Sequence, residues 1–180
     1  VDTLLERLDQ SDSPLQSAVA DAALVAARRR AEEGETDRAV AILEAVRQSE
    51  APQHIRIGAT DLLVRTQGSE SLPLLRELLQ ADDDEFFAVA LQASREISGD
   101  EITQALVEQL EQQPPRRTAL LLLALGDRGD EDALPAVREA VQSDETVVQI
   151  AAIEALGQLG DSSDVDRLME SVELDPAQQV

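Results

Sequence analysis

The chain has no cysteine, no lysine, no tryptophan and no tyrosine, and among its 180 residues only two are phenylalanine and one is histidine. Without cysteine there can be no disulfide, zinc–thiolate site or thiol nucleophile. With His54 as the lone imidazole, a solvated or capping role is expected of it rather than that of a base or ligand. The near absence of aromatics leaves Ala, Leu, Val and Ile to build the core, which suits helices that approach one another closely. Long apolar runs are missing as well. The most apolar stretch, Leu120 to Leu125, falls far short of the ~20 residues a bilayer-crossing helix needs. No signal-peptide pattern is visible, and a cytoplasmic location is expected. The chain opens on Val rather than Met, so the natural N-terminus and any targeting signal on it are expected to be missing.

What is present in excess is negative charge. Against 37 Asp and Glu stand 15 basic residues, every one of them Arg, for a net charge of −22. Such a balance repels nucleic acid and anionic membranes, and neither is expected as a partner. Two origins for the acidity compete: a docking surface for a basic partner, or a solvated surface adapted to a cytoplasm of very high salt, where screening removes the mutual repulsion. Lysine-free, carboxylate-rich composition with small aliphatics resembles that of proteins from salt-accumulating halophiles, and this is the reading adopted. A GC-rich genome would also favour Arg over Lys.

A step of 31 residues organises the rest. Leu75, Leu106, Val137 and Leu168 share it, as do Leu79, Leu110, Val141 and Val172, and a second register holds Ala59, Ala90, Leu121 and Ala152. Self-similarity at this period marks a stack of supersecondary units, each too small to bury its own apolar face. Apolar positions recur at i, i+3, i+4 and i+7 within segments separated by short polar turns, so the units are helical and neighbours run antiparallel. Two helix types alternate. B helices are expected near 2–10, 36–49, 69–80, 100–112, 130–142 and 162–173, and A helices near 14–33, 52–67, 84–98, 115–126 and 145–159, about eleven in all. Pro73 and Pro135 each follow the Leu that opens a B helix, where a missing N–H had no partner to lose. Gly68, Gly99, Gly129 and Gly160 stand at expected helix stops.

The run Ala151-Ala152-Ile153-Glu154-Ala155-Leu156-Gly157-Gln158-Leu159-Gly160-Asp161 resembles a HEAT repeat, in the short form also found in phycobilin lyases. Ala124-Leu125-Gly126-Asp127 and Asp132-Ala133-Leu134-Pro135 fit the same pattern. The resemblance covers 52–173; residues 1–51 form variant repeats with some tetratricopeptide character, and 174–180 a short tail. It implies an all-α, right-handed α-α superhelix over 1–180 as a single repeat domain, with B helices lining the concave face and a binding or scaffolding role. It implies no chemistry. Leu4, Leu5 and Leu8 mirror Leu75, Leu78 and Leu79, so both ends fall in B helices and an excerpt of a longer protein is expected.

One row of residues suggests where a partner would bind. Glu77, Glu108, Glu139 and Glu170 fall 31 apart, each two residues past a core position and therefore about 200° round the helix, away from the core. Beside it run Gln80, Glu111, Gln142 and Glu173. Together they would make an acid-and-amide strip able to recognise a basic peptide or Arg-rich segment. The plainer reading is that an outward helical position favours Glu, a good helix former. Charges ~10 Å apart repel by only about 0.4 kcal/mol in water, so the row needs no partner in order to be tolerated. The acidic turns 82–85 and 127–132 lack the spacing of an EF-hand loop and are expected to cap helices. Arg28-Arg29-Arg30 is largely neutralised through Arg28 with Glu32 and Arg29 with Glu33. Gly126-Asp127-Arg128-Gly129-Asp130 contains an Arg-Gly-Asp triplet, too short to carry meaning.

No catalytic, metal or cofactor constellation is found. One histidine cannot build the paired His-Glu motifs of HEAT-type di-iron hydroxylases, and the HEAT-like DNA glycosylases need a basic, aromatic groove. A non-enzymatic protein–protein interaction scaffold is therefore expected; the alternatives are a phycobilin-lyase-like protein and a regulatory HEAT domain of a larger enzyme. The sequence does not specify the oligomeric state. The halophilic reading makes a measurable claim: helical circular dichroism and melting temperature should rise from dilute buffer to molar KCl, whereas an unchanged melting temperature would count against it.

Overall fold

The computed structural model describes residues 13–160 and Asp164. Within them the chain is all-helical, with no strand. The helices are α1 (Ser13–Glu32), α2 (Thr36–Gln48), α3 (Gln53–Gln67), α4 (Leu72–Leu79), α5 (Asp84–Glu96), α6 (Asp100–Gln109), α7 (Pro115–Arg128), α8 (Leu134–Ala140) and α9 (Thr146–Leu159). The count of about eleven is thus not reached among the described residues: the helices expected at 2–10 and 162–173 lie outside them. Two of the B helices are also shorter than expected, because 3-10 turns at Gly68–Ser71 and Glu131–Ala133 lead into α4 and α8. Pro73 and Pro135 sit in the first turn of these helices, where the ring is tolerated. By packing, the chain divides into two compact units, Val1–Ala93 and Ser94–Val180, and the division falls inside α5.

In the first unit the core is narrow on one side and broad on the other. From α1 come only Ala20, Ala23 and Ala27, at i, i+3 and i+7; against them pack Ile42, Leu43 and Val46 of α2 and Ile55, Ala59 and Leu63 of α3. Small residues on α1 let the backbones approach, and the larger aliphatics fill the space between. The turn from α1 to α2 is a Schellman motif. Gly34 takes φ 79, Glu35 N donates to Arg30 O (2.9 Å) and Gly34 N to Ala31 O (3.0 Å). Of the expected Arg–Glu pairs on α1, Arg29–Glu33 is formed (2.8 Å), while Arg30 reaches past the glycine to Glu35 at 2.5 Å. Polar ties then join residues about one repeat apart: Arg47 pairs with Glu77, and Gln53 Nε2 donates to Asp83 (2.8 Å) and Glu85 (2.9 Å).

In the second unit α7 and α9 pack most extensively. Ala119, Leu121, Leu122 and Leu125 of α7 and Val148, Ala151, Ala152 and Ala155 of α9 are buried. Contact is tight at Gly126, where a Cβ would stand 3.0 Å from Ala155 Cα and 2.9 Å from Gln158 Oε1. The B helices contribute Ile102, Ala105 and Leu106 from α6 and Val137 from α8. Each fully buried aliphatic here is worth roughly 1.5–3 kcal/mol.

Arg128 is the polar keystone of this unit. Its guanidinium donates to the carbonyls of Ser94, Ile97 (2.8 Å) and Gly99 (3.0 Å), all near the C-terminal end of α5, and its Nε to Thr103 Oγ1 (3.0 Å). A cation there sits at the negative end of the helix dipole. Thr103 in turn donates to Asp130, which also accepts from Asp132 N at 3.1 Å. The Thr103 hydroxyl holds the Asp130 carboxyl below its ordinary pKa, with help from the Asp132 amide and the Arg128 charge and against partial burial. Further along, Arg138 grips the buried Asp164 with two parallel 2.8 Å bonds.

Two expectations follow from this packing. Gly126 and Gly157 occupy the same place in successive Ala-Leu-Gly runs, yet a Cβ at Gly157 meets nothing within 4 Å. Gly157→Ala should therefore stabilise by about 0.5–1 kcal/mol through helix propensity. Gly126→Ala should instead destabilise by about 1–2 kcal/mol, overpacking outweighing that gain; urea denaturation reads both signs. For Asp130 the lowered native pKa means that the stabilisation is present above the unfolded value, near 4, and is lost as pH falls through the lower folded value. Asp130→Asn should thus melt below the parent at pH 7, with the gap closing in acid; a gap that persists at low pH would remove the charge from the account.

Candidate functional site

Where α6 and α8 lie side by side in the second unit, the turns that follow them and the first turns of α7 and α9 enclose an open groove of about 600 Å³. The local chemistry repeats with the 31-residue step. Thr118 Oγ1 lies 3.1 Å from the carbonyl oxygens of Leu110 and Gln113, and Gln149 Nε2 donates to Val141 O at 3.1 Å. In both repeats a polar side chain in the first turn of an A helix is bound to the end of the preceding B helix, so the turns bordering the groove have a fixed shape. Glu145 N donates to Ser143 Oγ (3.2 Å), which closes the second turn before α9 starts.

The groove has an apolar floor and an acidic edge. Val107, Leu110, Pro115, Ala136, Ala140 and Val148 supply the floor, and Glu108, Glu111, Glu139 and Glu145 the carboxylates, with Gln113, Thr118 and Ser143 between them. Among the described residues no basic side chain lines it. Glu108 is half-buried; Glu111, Glu139 and Glu145 are exposed. Glu108 and Glu139 meet here because each stands two residues beyond a buried core position, Leu106 and Val137, on adjacent B helices. Such a surface can hold a cation whose aliphatic stem lies along the floor while its charged head reaches the edge.

The other residues singled out in the sequence fall elsewhere. Gln142 is exposed on the turn after α8 and does not line the groove. Glu77 and Gln80 lie in the first unit; both are exposed, and Glu77 is engaged by Arg47. Glu170, with Glu173, is outside the described residues. Periodicity did not reveal Glu145: the positions one and two repeats earlier are Pro114 and Asp83, so this carboxylate belongs to no row. The signal that could have found it is its place just before α9, beside the end of a B helix already carrying Glu139. The acidic turns serve as caps. Asp83 Oδ1 accepts from Glu85 N at 2.8 Å, as Asp130 does from Asp132 N. His54 is exposed in the first turn of α3.

No curated protein sequence matches the chain. Residues 103–180, the stretch that holds this groove, match the family model described as HEAT repeats. Over residues 103–180 the chain is thus similar to HEAT repeats.

Proposed function

We propose that the protein is a non-enzymatic scaffold that binds a basic segment of a partner protein, with the groove between α6 and α8 as its contact. HEAT repeats generally mediate protein–protein interaction. The observation that carries the finer reading is the convergence of Glu108, Glu111, Glu139 and Glu145 around an apolar floor. The right-handed superhelix and concave binding face implied by the HEAT resemblance belong to this proposal, as does action in a salt-rich cytoplasm. No described helix is long and apolar enough to cross a membrane.

Magnitudes indicate what the partner must offer. Exposed ion pairs are worth about 0.2–1 kcal/mol each, so four carboxylates supply roughly 1–4 kcal/mol, short of the about 8 kcal/mol of a micromolar complex. The remainder must come from apolar area buried at roughly 25 cal/mol per Å² and from further contacts along the repeats. A segment carrying Arg or Lys beside small aliphatics meets both requirements; a purely charged one does not.

The test is fluorescence anisotropy with a labelled amphipathic Arg-rich peptide. Glu108→Arg with Glu139→Arg should weaken binding at least tenfold. Glu50→Arg with Glu70→Arg, which makes the same change in net charge at exposed sites away from the groove, should have a much smaller effect. Equal losses in the two double variants would reduce the interaction to overall charge, and no loss in the first would remove the groove.

A further inference from the structure

In the first unit, the positions that correspond to the groove are joined by the chain's own side chains. The buried residues of α2, Ala39, Ile42, Leu43 and Val46, have the same spacing as Ile102, Ala105, Leu106 and Gln109 on α6, two repeats later. At the same remove, Leu75 of α4 corresponds to Val137 of α8, Ala59 of α3 to Leu121 of α7, and Ala90 of α5 to Ala152 of α9, all of them buried. This alignment puts Arg47 where the groove has Leu110, Gln53 where it has Pro115, Glu77 where it has Glu139, and Asp83 where it has Glu145. All four first-unit residues are engaged. Arg47 crosses from α2 to Glu77 of α4 with its side chain only 20% exposed, and Gln53 Nε2 donates to Asp83 Oδ2 at 2.8 Å.

In the second unit the acceptors are kept and the donors are gone. Glu139 and Glu145 stand where Glu77 and Asp83 do, but Leu110 and Pro115, which replace the arginine and the glutamine, have no side-chain N–H to offer. No ion pair joins Glu139 or Glu145 to another described residue. We propose that an arginine of the partner takes in this groove the place that Arg47 takes in the first unit, its stem along Leu110 and its guanidinium on Glu139. The inference rests on the reading of the groove as the contact for a basic segment, and adds which basic side chain the groove selects and where it sits. Arginine is preferred to lysine for two reasons. Its planar fork can give two parallel hydrogen bonds to one carboxylate, and it is more weakly hydrated than an ammonium, so it gives up less on lying over an apolar floor.

Two labelled amphipathic peptides that differ only in carrying Arg or Lys at their basic positions read this by fluorescence anisotropy. The parent chain should bind the Arg peptide about fivefold more tightly or better. Glu139→Gln should bring that ratio close to one, whereas Glu111→Gln should lower both affinities and leave the ratio unchanged. Leu110→Arg, which installs in the second unit the side chain that α2 carries in the first, should weaken the Arg peptide by about tenfold, and Leu110→Met should not. Equal affinities of the parent for the two peptides overturn the proposal, as does a ratio that survives Glu139→Gln, or a Leu110→Arg variant that binds as the parent does. Should Leu110→Arg lose helical circular dichroism, the two glutamine variants, at exposed positions, decide alone. A parent that binds neither peptide removes the groove as a site for a basic segment, and this inference with it. Equal binding of both peptides that Glu108→Arg with Glu139→Arg still weakens leaves the site standing and removes only its choice of arginine.

Discussion

The structure depends on contact between like helices of successive repeats at a distance only small residues allow. A single helix pair of this size cannot bury its apolar stripe, so each must lend a face to the next. The contact at Gly126 shows how little space remains: a methyl group there would meet the backbone of Ala155. A core made from Ala, Val, Leu and Ile, with almost no aromatic, is the composition such an approach requires. The alanine stripe of α1 against α2 and α3 obeys the same constraint in the first unit.

Polar groups follow the packing rather than direct it. Arg47 with Glu77, Arg95 with Asp127, and Arg128 with the carbonyls at the end of α5 all join residues about one repeat apart. Apolar stacking brings those positions together, and the side chains then satisfy one another. Exposed pairs of this kind contribute little individually. Arg128 differs because one guanidinium serves the carbonyls of Ser94, Ile97 and Gly99 together.

Two surfaces follow from the same repetition. Side by side, B helices bring outward-facing residues of successive repeats onto one surface, and in the second unit this gathers carboxylates at the edge of an apolar groove. Among the described residues, α1 and α9 each also keep an apolar stripe exposed. The first is the surface proposed for a basic partner.

Helix type, helix order and most boundaries were legible in the chain, because apolar periodicity and the prolines and glycines at helix ends act within a few residues. The 31-residue step exposed the stack for a similar reason: equivalent positions carry equivalent burial, and burial selects residue type. The 3-10 entries to α4 and α8 escaped notice, since the residues before each proline read equally well as a first helical turn. Of the row of glutamates, Glu108 and Glu139 line the groove with Glu111, whereas Glu77 is engaged by an arginine thirty residues earlier. A periodic row records which way a side chain points from its own helix. What stands opposite is set by neighbouring turns, and there Glu145 entered from a position that repeats nothing. Sequence alone thus determined the repeat, its helices and its acidity, all encoded locally. Tertiary structure decided which glycine is crowded, which carboxylates share a groove and which aliphatic stripes remain bare, because each depends on the helix that packs alongside.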